Sequence, residues 1–356
     1  MRRETSIYLN MMRFTAALVV FLGHLAGRRF TAGLLWPVSH FMDMAVIIFF
    51  VLSGYVIAYV TDTHERTLEA YAANRIARVL SVALPALAIT CVLDMAGRTL
   101  HPDYYSAVWG FSADRPWLQY LSGLTFTNEL WWNHINVGSM LPYWSLAYEV
   151  WYYAIFAAFW YLRGPARYLI AIAFALIAGP KILTLFPIWI GGFAVYHLCR
   201  KPVMPRSWAI ALFSITLLVP LLLLVQTARS GLQIPSSTLD RYLTAIVFAL
   251  NIVAIQNAPG FSGALLKRVE KPVQWLAGMT FSLYLFHLPV AQFLTTVTPW
   301  PPASWSARVV SVAGTFLLVV LLAELTERRK DIWRRLVTWV FVRLSASRTM
   351  LHSSTG

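Results

Sequence analysis

A chain of 356 residues that is 58% hydrophobic and only 12% charged, with a mean hydropathy of +0.61, holds more apolar surface than a soluble core can bury and reads as a membrane protein. Its formal charge of +14 does not point to nucleic acid as a partner, because the cations fall between apolar stretches and not on a separate basic domain. The two cysteines, Cys91 and Cys199, sit inside apolar stretches, which excludes a disulfide framework and a zinc site, and no metal is called for.

Apolar stretches of spanning length follow one another at 7–26, 41–61, 76–96, 144–162, 167–180, 183–199, 208–226, 240–257, 274–294 and 306–326. The expected fold class is therefore an all-α polytopic membrane protein, a bundle of about ten transmembrane helices. The opening MRRETSIYLN has no small-residue cleavage site before the next polar stretch, so the first helix is expected to be retained. An N-terminus in the cytoplasm puts Arg66, Arg75, Arg78, Arg163, Arg167, Arg200, Lys201, Arg206, Lys267, Arg268 and Lys271 inside together with the basic tail. Arg28, Arg29, Arg98, Arg115, Lys181, Arg229, Arg241 and Arg308 are left outside or near that interface. This inside bias predicts both termini in the cytoplasm, in what the sequence suggests is a bacterial inner membrane, and leaves 97–143 as the one long external segment. Within it WLQYLSGLTFTN (117–128) is too short and polar to span, which predicts a re-entrant or interfacial helix, and an eleventh helix is the alternative.

No repeat or interdomain linker is present, so residues 1–326 form one membrane domain. Residues 327–356 form a basic cytoplasmic tail, in which Trp333, Val337, Val340, Phe341 and Leu344 share one helical stripe opposite arginines. That stripe is expected on the inner leaflet of the lipid bilayer. Homo-oligomerisation is left open by the sequence.

Five short motifs carry the chemistry. In RFTAALVVFLGH (13–24) eleven steps of roughly 100° return Arg13 and His24 to one helix face, about 16.5 Å apart along the axis. On a bilayer core about 30 Å thick this puts Arg13 near one surface and His24 about halfway across, where an ionisable group is a functional hypothesis by default. The bland alternative is a snorkelling Arg anchor with a His bonded to a backbone carbonyl. FFVLSGY (49–55) lies in the second stretch, NRIAR (74–78) opens the third, YWSLAYE (143–149) opens the fourth and FSLYLFH (281–287) lies in the ninth.

These five motifs, in this order over residues 8 to about 326, resemble the acyltransferase-3 family of integral membrane acyltransferases. The resemblance implies transfer of an acyl group, usually acetyl, from cytoplasmic acyl-CoA to a hydroxyl of a glycan or related acceptor, with acetyl-CoA as donor substrate. It marks Arg13 and His24 as the catalytic helix and Arg75 with Arg78 as a cytoplasmic acyl-CoA site. Three positions depart from the family pattern: Asn10 and Ile47 stand where acids are common, and Glu149 is followed by Val150 in place of a second acid. His24 thereby loses its usual acidic partner, and Asp43 or Glu149 is the candidate substitute. No hydrolase-like domain of the kind fused to some relatives is expected after the last helix.

A neutral imidazole at His24 suits the general base that takes a proton from an attacking hydroxyl, and an acyl-histidine intermediate is the alternative. Arg13 is expected to hold a coenzyme A phosphate or orient the pantetheine arm. Arg75 and Arg78, three apart, are neighbours on one helix face, and their planar forks suit phosphate oxygens as well as they suit topology anchoring. Glu149, in the membrane, must pair with a cation or face a polar cavity. Gly54 is read as a packing position, Ser53 is left open, and His287 is as much a structural bond as chemistry. A second class, a transporter that uses Arg13, His24 and Glu149 as a relay, would carry inverted repeats and paired broken helices, and the sequence displays neither.

Overall fold

The computed structural model describes residues 1–106, 111–112, 114–231, 237–261, 263–339 and 343. Among them there are helices and turns and no strand. The long helices are α1 (Arg3–Leu25), α2 (Met42–Thr63), α3 (Leu68–Leu100), α4 (Pro116–Leu124), α5 (Trp144–Tyr161), α6 (Ala166–Ala178), α7 (Phe186–Leu198), α8 (Arg206–Ser230), α9 (Thr238–Asn257), α10 (Glu270–Ala277) and α11 (Thr280–Val297). The run Trp305–Trp339, α12, includes a π-helical turn at Val310–Gly314.

Among the described residues seven runs are long and apolar enough to cross a membrane, or eight if the bent pair α10 and α11 is one span. The two remaining sequence-predicted segments are helices too, but shorter or less apolar: α6 has 13 residues, and α5 has 18 rich in Trp and Tyr. All ten expected segments are thus helical, and the chain is an all-α polytopic membrane protein. The helix at 117–128 is short, Pro116–Leu124; Gln119, Ser122 and Gly123 are buried while Trp117, Leu121 and Leu124 are exposed. One apolar edge outward suits an interfacial position. In the tail Trp333 and Val337 are half-buried, whereas Val340, Phe341 and Leu344 lie outside the described residues.

Contacts between distant segments define two faces. On the N-terminal face Arg3 pairs with Glu270 at 2.6 Å, Glu4 Oε2 accepts the Gly260 N–H at 3.1 Å, and Asn257 Oδ1 accepts the Val203 N–H at 2.9 Å. On the opposite face Arg241 pairs with Asp43 at 2.9 Å, Arg308 donates to the Thr31 carbonyl at 3.2 Å, and Lys181 pairs with Glu129. These bonds join helix ends that the chain reaches by alternating passes, so the two rims are closed by polar contacts, and between them a largely apolar core encloses a few polar side chains.

Packing at the waist depends on small residues. A Cβ at Gly54 of α2 would run into the Trp189 carbonyl of α7, and one at Gly192 would run into the Val51 carbonyl of α2. The two backbones touch there, as the sequence predicts for Gly54, and dispersion at that close approach replaces the hydrophobic drive that lipid does not supply. An added Cβ at Gly191, one residue away, meets nothing within 4 Å. Gly54→Ala should therefore cost about 1–3 kcal/mol of overpacking strain and lower the thermal unfolding temperature in detergent, whereas Gly191→Ala should leave it unchanged. Equal unfolding temperatures for the two variants would show that the helix contact is not tight.

Candidate active site

α1 begins at Arg3, four residues before the apolar stretch, because Arg2 and Arg3 are held by the Gln256 carbonyl and by Glu270. Ten residues, about 15 Å, of helix therefore precede Arg13. Arg13 sits at mid-helix, and His24 occupies the last turn beneath the segment 26–41, whose Phe30 and Thr31 are buried.

The five motifs converge on two cavities. The first, about 70 Å³, is lined by Arg13, Ser53, Arg75, Arg78, Glu149 and Tyr153 with apolar side chains of α2, α5 and α11. The second, about 350 Å³, is lined by Val20, His24, Ser39, His40, Asp43 and Trp144 among others. Val46 and Tyr284 line both. The helix face shared by Arg13 and His24 therefore runs past a partition: Arg13 belongs to the cavity on the N-terminal side of it and His24 to the cavity beyond.

The bonding around His24 assigns its tautomer. His24 Nδ1 lies 2.9 Å from the Val20 carbonyl oxygen and 3.2 Å from His287 Nε2, and His287 Nδ1 lies 2.7 Å from the Leu283 carbonyl oxygen. A carbonyl accepts only, so in the neutral rings each Nδ1 carries the proton. His287 Nε2 is then a lone pair that shares the His24 Nδ1–H, and His24 Nε2 is left basic at the cavity wall. Two acceptors thus orient this imidazole where a carboxylate would otherwise do so.

Neither candidate acid reaches His24. Asp43 lines the same cavity but is engaged by Arg241 Nε at 2.9 and 3.2 Å. Glu149 accepts from Ser53 Oγ at 2.6 Å and from the Tyr153 hydroxyl, and Ser53 Oγ in turn accepts from Trp189 Nε1 at 3.1 Å. Ser53, left open by the sequence, is thereby part of the polar knot that keeps a carboxylate in the membrane.

Of the three cavity arginines Arg75 is already committed. It pairs with buried Glu65 at 2.7 Å, and Asn74 Nδ2 donates to the same carboxylate oxygen at 2.9 Å. Arg13 and Arg78 line the cavity with no side-chain hydrogen bond or ion pair among the described residues. Two guanidinium groups that share a cavity with donors to spare form a receptor for an anion. Tyr153, Tyr284 and Glu327 were not singled out in the sequence, although Tyr284 and His287 stand one helical turn apart in FSLYLFH and Tyr153 stands one turn after Glu149.

A multi-pass helical bundle with a base at one cavity and an anion receptor at the next has the parts of a membrane group-transfer enzyme. A family model described as an acyltransferase domain matches residues 6–324, and the chain belongs to this acyltransferase-3 family; it is a membrane acyltransferase. No curated protein and no solved structure matches it.

His24→Ala should lower acyl transfer by about 10²–10⁴-fold, the contribution of a positioned general base, with insertion and unfolding temperature near those of the parent. His287→Phe removes only one of the two acceptors on His24 Nδ1 and should give a smaller loss. Turnover assays on both variants check the order, and a His24 variant faster than the His287 variant would remove His24 from the chemistry.

Proposed function

We propose that the protein is an O-acetyltransferase that takes the acetyl group of cytoplasmic acetyl-CoA and places it on a hydroxyl of a surface glycan or exopolysaccharide unit across the membrane. The observation that carries this is the pair of cavities meeting at Val46 and Tyr284, with Arg13 and Arg78 on the N-terminal side and His24 beyond. The free guanidinium groups suit the diphosphate of coenzyme A, and the excess of cations in the loops of that side supports a cytoplasmic orientation for it. The cavity of His24 offers a carboxylate, imidazoles and the Trp144 indole, a lining suited to a polyhydroxylated ring. With both termini in the cytoplasm the acetyl group crosses the partition while coenzyme A stays on its own side.

In the reaction an acceptor hydroxyl gives its proton to His24 Nε2 as its oxygen attacks the thioester carbon. The tetrahedral adduct expels the thiolate, which takes the proton back from the imidazolium. Glu149, 2.6 Å from Ser53 Oγ, acts as a counter-charge that keeps Arg13 and Arg78 soluble in the membrane when no donor is bound. The transporter reading would need a matched pair of broken helices; among the described residues one bent span, α10 with α11 at 55°, is found.

Two measurements test the proposal. Arg13→Ala and Arg78→Ala should each weaken acetyl-CoA binding in titration by roughly 10- to 100-fold, a charge-assisted bond being worth about 1.5–3 kcal/mol; unchanged affinity in both would move the donor elsewhere. For orientation, single cysteines at Ser106, Ser304 and Ser207, in a background lacking Cys91 and Cys199, are exposed to an impermeant thiol reagent on intact cells. Ser106 and Ser304 positions should label and Ser207 should not, and the reverse pattern would overturn the route of the donor.

A further inference from the structure

The acyl-transfer step places a negative charge on the former thioester oxygen, and in a membrane interior that charge requires a hydrogen-bond donor. Tyr284 borders both cavities, one helical turn from His287, and its hydroxyl lies 2.7 Å from Ser145 Oγ. Both side chains are buried, and Ser145 Oγ also lies 3.3 Å from the Pro142 carbonyl oxygen. The two hydroxyls hold two protons. In the resting arrangement Ser145 donates to Pro142 and Tyr284 donates to Ser145. Rotation of the Ser145 proton onto the Tyr284 oxygen frees the phenolic proton for the partition between the cavities.

We propose that Tyr284 is the oxyanion donor of the acyl transfer, and that Ser145 is the positioning residue that supports it by donating to the phenol; this rests on the acyl-CoA reading of the two cavities. The ring is held edge-on to Phe49, with centroids 5.6 Å apart, so the hydroxyl is fixed before the donor arrives. As the acceptor oxygen bonds to the carbonyl carbon, the carbonyl π electrons move onto its oxygen and the Tyr284 O–H shortens its contact to that oxygen. When the carbonyl re-forms, the C–S bond breaks, the sulfur leaves with the electron pair and takes the proton held by His24. The phenol donates a hydrogen bond throughout and gives up no proton, so it returns to its starting state.

The test uses the full chain in nanodiscs with acetyl-CoA and water as the attacking hydroxyl, so that thioester hydrolysis releases acetate and thiol, reading thiol release at saturating donor, donor KM, coenzyme A binding and unfolding temperature. Tyr284→Phe keeps the ring and the partition but deletes the donor, and should lower kcat by about 10²–10³-fold with donor KM, coenzyme A binding and unfolding temperature unchanged. Ser145→Ala should lower kcat less, about 10-fold, since the phenol keeps its own proton. Wild-type turnover in Tyr284→Phe would overturn the proposal, as would a loss of turnover matched by an equal loss of coenzyme A binding, which marks a structural role. If the parent protein binds no coenzyme A, the donor reading fails and the oxyanion role falls with it; if the parent binds and turns over while Tyr284→Phe is unaffected, only the oxyanion role fails.

Discussion

A polar atom inside a bilayer has no water to fall back on, and the polar side chains His24, Ser53, Glu149 and His287 are held by partners from another turn or another helix. This one requirement organises the centre of the molecule. His24 is oriented by a carbonyl of its own helix and by an imidazole from α11. Glu149 is kept by hydroxyls from α2 and from its own helix, with the Trp189 indole behind them. Helices α1 and α11, and α2, α5 and α7, are thus tied by polar bonds inside the bundle, and apolar side chains pack around them.

The outer surface obeys the opposite rule. α8 buries only Ala209, Phe213 and Thr227 and leaves most of its Leu and Val side chains exposed, as a helix bathed in lipid does. α11 is buried along nearly its whole length and carries Tyr284 and His287 into the middle of the bundle. Glu327, in the 3-10 turn within α12, accepts the Ser282 backbone N–H at 2.8 Å and so caps the start of α11 where the span is bent. The residues that line the two cavities come largely from enclosed helices, α2 and α11 above all, while α8 lies on the outside.

Much of this was legible in the sequence because hydrophobic length and helical spacing are local. The ten apolar stretches became helices, Arg13 and His24 share a face because eleven residues make nearly whole turns, and Gly54 is a contact because nothing larger fits between two backbones. The remainder is non-local. That Arg75 is spoken for by Glu65 depends on the tight turn between α2 and α3, and that His24 leans on His287 depends on a pairing across 263 positions. The start of α1 is non-local in the same way: hydropathy marks where a helix is greasy, while α1 begins where Arg2 and Arg3 find partners on α9 and α10. The missing acids at Asn10 and Ile47 pointed to Asp43 or Glu149, and both are engaged with other groups; a carbonyl and a second imidazole are substitutes that no spacing rule announces.

The pairing of His24 with His287 also bears on how the protein is made. α1 is the first helix to leave the ribosome, and the ring it carries waits for a partner encoded in the last quarter of the chain; the Arg2 and Arg3 clamp waits for Gln256 and Glu270. Domains generally fold as synthesis proceeds, but here the earliest segment is completed by the latest, so the centre stays open until α11 is inserted. A nascent chain that stalls before Tyr284 and His287 carries the His24 ring without its partner from α11 and without the side chain that borders both cavities. Closure of the core is thereby tied to the last quarter of translation.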